Sequence, residues 1–139
     1  TKAAVKEGIV IGGGTALLRA ASVLDDITLS NDDQNVGVGI IRKSLSAPFK
    51  QIVENAGEDG SVIAARLLDN FADDYGYDAQ NDANVDMFDA GIVDPTLVVR
   101  TALQDAASVA SLLITTEAMV SDLPEDNENQ GAPNPGMMM

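Results

Sequence analysis

Residues 75–120 read YGYDAQNDANVDMFDAGIVDPTLVVRTALQDAASVASLLITTEAMV, and the second half of this stretch decides the fold. Val98, Val99, Ala102, Leu103, Ala106, Val109, Ala110 and Leu113 recur at helical spacing, with Arg100, Gln104, Asp105 and Ser108 on the opposite face. Asp94 reads as the N-cap of this helix and Pro95 as its first residue, where a missing N–H is no loss. Ala106, Ala107, Ala110 and Ser111 are small enough for a neighbouring helix to approach closely. Thr115 and Thr116 end the helix, and Ala118, Met119 and Val120 are expected to extend as a short strand. Residues 75–91 are polar and rich in Asp and Asn, with Tyr75, Tyr77, Met87 and Phe88 as apolar anchors. They read as a loop or irregular hairpin laid over the start of the helix.

Upstream, residues 3–10 read as the last turns of a helix, broken by Gly12, Gly13 and Gly14. Helical spacing resumes through Leu17, Leu18, Ala21 and Leu24. After a polar connector, Asp32 or Asp33 is the expected cap of a helix running to about Asn55, which Pro48 should kink or split near residues 46–47. Gly57 is its stop, and Ser61 is the expected cap of a shorter helix that ends near Asp73. From Leu123 the composition turns acidic and then rich in Gly, Pro and Met, so residues 124–139 are expected to be a disordered tail. The spacing thus predicts a mainly α fold, a small hairpin and a short C-terminal strand.

Composition narrows the chemistry. There are 139 residues, enough for one domain with a core, and 45 % are hydrophobic but only 4 % aromatic, so that core must be aliphatic. With neither Cys nor His, disulfides, zinc–thiolate sites and His-based triads are excluded. A formal net charge of −14 argues against nucleic acid and against anionic membranes. No apolar run is expected to reach the ~20 residues of a membrane span. The start lacks a signal-peptide pattern and reads as a cut.

Taken alone, Gly12–Gly13–Gly14 is a tight turn between helices. It also offers a backbone that a ligand can touch, although it matches neither of the common phosphate-binding glycine patterns. Asp78, Asp82, Asp86 and Asp89 suggest a calcium loop only superficially, because Ala83 and Asp89 stand where glycine and glutamate are needed.

In order and in register, the runs IVIGGGTALLRAA, DDQNVGVGIIRKSLSAPFKQIVENAGEDGSV, YGYDA and GIVDPTLVVRTALQDAASVASLLITTEAMVSDLP and the Met-terminated tail resemble the C-terminal part of group I chaperonins, the GroEL type. The resemblance implies a partial equatorial-domain helical bundle over residues 1–123, with residues 1–11 ending the helix that enters it. It implies an ATP-driven folding machine of two stacked seven-membered rings of identical subunits. It places Gly13, Asp78, Ala79, Gln80 and Asp94 at the nucleotide, with Asp94 on the sugar. Gln80 stands where many members have a small residue, and Asp78 is Asn in some. Lys50 and Asp59 match an oppositely charged pair that bridges the rings. The phosphate-binding Gly-Asp-Gly-Thr-Thr motif, the catalytic aspartate, the Mg2+ ligands and the apical domain, which meets co-chaperonin and unfolded clients, are expected outside this chain. The fragment alone is therefore not expected to hydrolyse ATP. A bacterial cytoplasm or an organelle matrix is the expected location. Two alternatives stay open: a helical interaction module without ATPase activity, and an unrelated nucleotide-binding protein, against which the lack of a phosphate-binding Lys near Gly14 counts.

Overall fold

The computed structural model describes residues 1–122, so the expected tail at residues 124–139 lies outside the described residues. The elements are α1 Lys2–Glu7, β1 Ile9–Ile11, α2 Thr15–Ala20 with a 3-10 extension Ala21–Asp26, α3 Asp32–Leu45, α4 Ala47–Asn55, α5 Gly60–Asn70, β2 Tyr75–Asp78, β3 Ala83–Asp86, β4 Val93–Pro95 and α6 Thr96–Ile114. The fold is mainly helical, as the spacing predicts.

Pro48 splits the long central helix where expected. α3 stops at Leu45, Ser46 lies between, and α4 begins with proline in its first turn, where no intrahelical N–H is lost. The caps differ from expectation by one or two residues. Asn31, not Asp32 or Asp33, caps α3, its Oδ1 accepting from the N–H groups of Asp33 at 2.8 Å and Gln34 at 3.3 Å. Both aspartates fall in the first turn, where the helix dipole favours them. Asp59, not Ser61, caps α5, accepting from Ser61 N at 2.8 Å and Val62 N at 3.0 Å. That helix ends at Asn70 rather than near Asp73.

α4 and α5 pack as a helical hairpin. A Cβ on Gly60 would sit 2.8 Å from Lys50 Cα, so glycine is required for this approach. The core gathers Phe49 and Val53 of α4, Ile63, Ala64 and Leu67 of α5, Leu18 of α2 and Tyr77 of β2. It is aliphatic apart from Phe49 and Tyr77, with Met87 fully buried nearby.

Two corrections concern strands. Helix is expected over residues 3–10, but α1 ends at Glu7, Gly8 turns the chain at φ 79°, and Ile9–Ile11 forms β1. β1 pairs antiparallel with β4, Ile9 opposite Pro95, Val10 opposite Asp94 and Ile11 opposite Val93. Asp94 therefore is not the helix cap. It lies in β4, and the cap position of α6 falls on Pro95 without a side-chain hydrogen bond. The second correction is at residues 118–120, where no strand forms: the segment is exposed, and no strand among the described residues pairs with its backbone. The expected irregular hairpin is regular over β2 and β3, pairing Tyr75 with Asp86 through Asp78 with Ala83.

α6 is the outlier in burial. It has no buried residue, and Val98, Leu103, Val109, Leu112 and Leu113 are all exposed. Its helical periodicity is as expected, but α1 and β4 cover only part of it, and its apolar face stays largely open among the described residues. By length and composition α6 is also apolar enough to cross a membrane, which corrects the expectation that no run is. Its charged face is engaged instead. Arg100 forks onto Glu7 of α1, Nε to Oε2 at 3.0 Å and Nη2 to Oε1 at 2.5 Å, and its Nη1 donates to Gln104.

That fork holds the Glu7 carboxyl below its ordinary range, chiefly through the hydrogen bond from Arg100, against a smaller opposing effect of burial; the charges of Arg100 and Lys6 add to the lowering. A depressed carboxylate stabilises the fold above its unfolded-state pKa, and that stabilisation is lost as pH falls through the folded-state value. Thermal melts of the protein between about pH 6 and pH 3 should therefore show a steeper acid-side fall than Glu7→Gln shows; equal slopes would mean that the pair adds nothing. From the open face of α6, the 139-residue chain alone is expected to self-associate. Sedimentation checks this, and a monomer with a sharp cooperative melt would contradict it.

Candidate functional site

The glycine turn is the hub of the candidate site. Gly13 and Gly14 both have left-handed backbones, φ 63° and 74°. Gly12 N donates to Ile92 O at 2.9 Å, which ties the turn to the segment entering β4. Gly14 lies against the first turn of α4, where a Cβ would be 2.6 Å from Phe49 N. On a third side, a Cβ on Gly13 would meet Met87 Cε at 3.4 Å and Tyr77 O at 3.8 Å. The turn is thus held between β4, α4 and β2.

Asp78 follows Tyr77 at the end of β2. Its Oδ1 accepts from Gln80 N at 2.9 Å and Asn81 N at 3.3 Å, and its Oδ2 from Asn81 Nδ2 at 2.6 Å. The Asn81 side chain holds the Asp78 carboxyl below its ordinary range, with burial opposing and the two backbone N–H groups adding to the lowering. Its local work is to shape the turn that presents Ala79 and Gln80. Ala79 packs against the core, while Gln80 is exposed. Asp94 is half-buried in β4 opposite Val10, two residues before Gly12.

The five sequence-predicted residues therefore lie in three separate segments, not in one enclosed pocket. Gly13 faces Tyr77, the neighbour of Asp78, while Asp94 is linked to the turn through β1. The adjacent open cleft, of about 580 Å3, is lined by Val10, Ile11, Ala16, Arg19, Asp74 and Phe88 among others, and by none of the five. Among the described residues no group of three or more acidic side chains gathers to hold a metal. The five residues offer backbone groups, two carboxylates and one amide, without the clustered carboxylates that a divalent cation needs.

Asp59 caps the start of α5, and Lys50 of α4 lies against the next residue, Gly60. Lys50 is half-buried on α4, and Asp59 is exposed with one oxygen used in capping. Among the described residues the ion pairs are Arg19–Asp73, Arg42–Asp25 and Arg100–Glu7, so these two charges do not pair with each other.

Two residues of the site escape sequence reasoning. Arg19 donates to Ala72 O at 2.5 Å and Tyr75 O at 3.0 Å, fixing the entry of β2 across the core. Thr15 is fully buried beneath the glycine turn. Neither carries a local signal beyond its place after the glycines.

The model of the TCP-1/cpn60 chaperonin family matches residues 1–124. The chain belongs to this family of chaperonins. The glycine turn, the β2–β3 hairpin and the start of α6 all fall inside the matched region.

Proposed function

We propose that the chain supplies part of the equatorial domain of a group I chaperonin subunit, an ATP-dependent folding machine. The observation that carries this reading is the clamping of the left-handed Gly13–Gly14 turn between β4, which bears Asp94, and β2, which leads into Asp78, Ala79 and Gln80. Gly13 lets the nucleotide approach the backbone. Asp94, free of any capping duty, accepts a ribose hydroxyl. The Asp78 turn sets Ala79 and Gln80 beside the base. Mg2+ would neutralise the phosphates and is held by groups outside this chain, as is the residue that activates water. Identical subunits assemble in two stacked seven-membered rings, with Lys50 and Asp59 in the contact between rings. Co-chaperonin and unfolded clients meet other parts of the subunit. The location is a bacterial cytoplasm or an organelle matrix.

Because Asp94 is not a cap, its variants separate binding from folding. In the full-length subunit, Asp94→Ala and Asp94→Asn should leave the thermal midpoint nearly unchanged. They should weaken ATP binding roughly ten- to a hundredfold, the scale of a hydrogen bond to a charged group. Calorimetric titration checks this, and parent-like affinity in both variants would remove Asp94 from the site.

Lys50→Glu tests the ring contact. It places like charges at the junction without touching the glycine turn. The assembly should shift towards single rings, more so at low salt, where screening is weakest, while ATP binding persists. Sedimentation velocity at two salt concentrations reads the outcome, and double rings unchanged in both would overturn the assignment.

A further inference from the structure

Thr15 is the one buried polar residue among those described, with no exposed surface at all. Its hydroxyl oxygen has no hydrogen-bond partner among the described residues. A buried hydroxyl without a partner destabilises a fold, and valine fills nearly the same volume without that cost. Such a group calls for an explanation, and its position supplies one.

The Thr15 N–H donates to Gly12 O at 3.1 Å, closing the turn around Gly13 and Gly14. Its Oγ1 lies 4.0 Å from where a Cβ on Gly13 would be and 2.8 Å from where a Cβ on Gly76 would be. Gly76 sits in β2, two residues before Asp78. The hydroxyl thus occupies a slot between the glycine turn and the strand that leads to Ala79 and Gln80. That slot exists because residue 76 has no side chain: a Cβ there would also be 2.6 Å from Met87 Sδ. The Tyr77 carbonyl oxygen borders the same side of Gly13 and offers an acceptor.

We infer that Thr15 is a positioning residue of the nucleotide site: its buried hydroxyl sets the glycine turn against β2 and gains the Tyr77 carbonyl as its partner when the nucleotide seats on that turn. This rests on the nucleotide reading above. The cost of the unpaired hydroxyl falls on the unliganded protein alone, so a ligand that restores the hydrogen bond favours the seated turn. The hydroxyl and the methyl of Thr15 then have separable effects. The methyl fills the core, and the hydroxyl serves the ligand.

Two variants of the full-length subunit test this, each titrated calorimetrically with ADP and melted without it. Thr15→Val should raise the melting temperature of the nucleotide-free protein and weaken ADP binding roughly three- to tenfold, the loss of one neutral hydrogen bond. Thr15→Ser should do the reverse, lowering the melting temperature while keeping parent affinity. A merely structural residue would move stability and affinity together in both variants, and that result would overturn the inference. So would parent affinity in Thr15→Val while Asp94→Ala binds weakly, which would leave the nucleotide reading standing. A parent subunit that binds no ADP would remove both.

Discussion

The structure depends on one close approach between backbones, that of Gly14 to the first turn of α4. With φ at 74° and no room for a Cβ beside Phe49 N, residue 14 has to be glycine. The approach lets α2 lie directly on α4, so that Leu18 and Phe49 enter the same core as Val53, Leu67 and Tyr77. Tyr77 brings β2 with it, and β2 brings Asp78. The glycine turn therefore serves packing and the candidate site together. Its outward face is shaped by what its inward face touches.

Acidic residues do much of the local work in this chain. Asp59, Asp78 and Asp86 each accept two backbone N–H groups two and three residues onward, and Asn31 does the same at the head of α3. These short-range turns satisfy donors that no helix or ladder reaches. They also account for much of the Asp-rich stretch from Asp78 to Asp89, which suggests a calcium loop in sequence but is a hairpin with Asx turns at its ends. Asp94 stands apart from this group, because β4 leaves its carboxylate without a capping role.

What the sequence made legible follows the range of the interactions. Helical periodicity located α3 to α6, and Pro48 marked the break between α3 and α4. The caps were misplaced by one or two residues because neighbouring Asn, Asp and Ser side chains compete for the same N–H groups. β1 and β4 were not legible at all. Each is three residues long, and the partners Val10 and Asp94 are far apart in the chain, so no local pattern announces the pair. For the same reason Asp94 read as a cap beside Pro95, where short-range logic favours it. The site residues themselves came from the family resemblance. The structure adds that Gly13 touches β2, and that Arg19 and Thr15 hold this junction from within.

α6 shows how the site connects to what lies beyond these contacts. A 19-residue helix is only marginally stable by itself, and this one buries no residue. It is anchored near its N-terminal end, through β4 and the fork of Arg100 on Glu7 of α1. Asp94 lies in the first of these anchors and is linked through Val10 to the glycine turn. Beyond these anchors Val98, Leu103 and Val109 are exposed on the same helix. α6, which begins where β4 ends, thus joins an exposed apolar face to the strand pair that bears Asp94 and leads into the glycine turn.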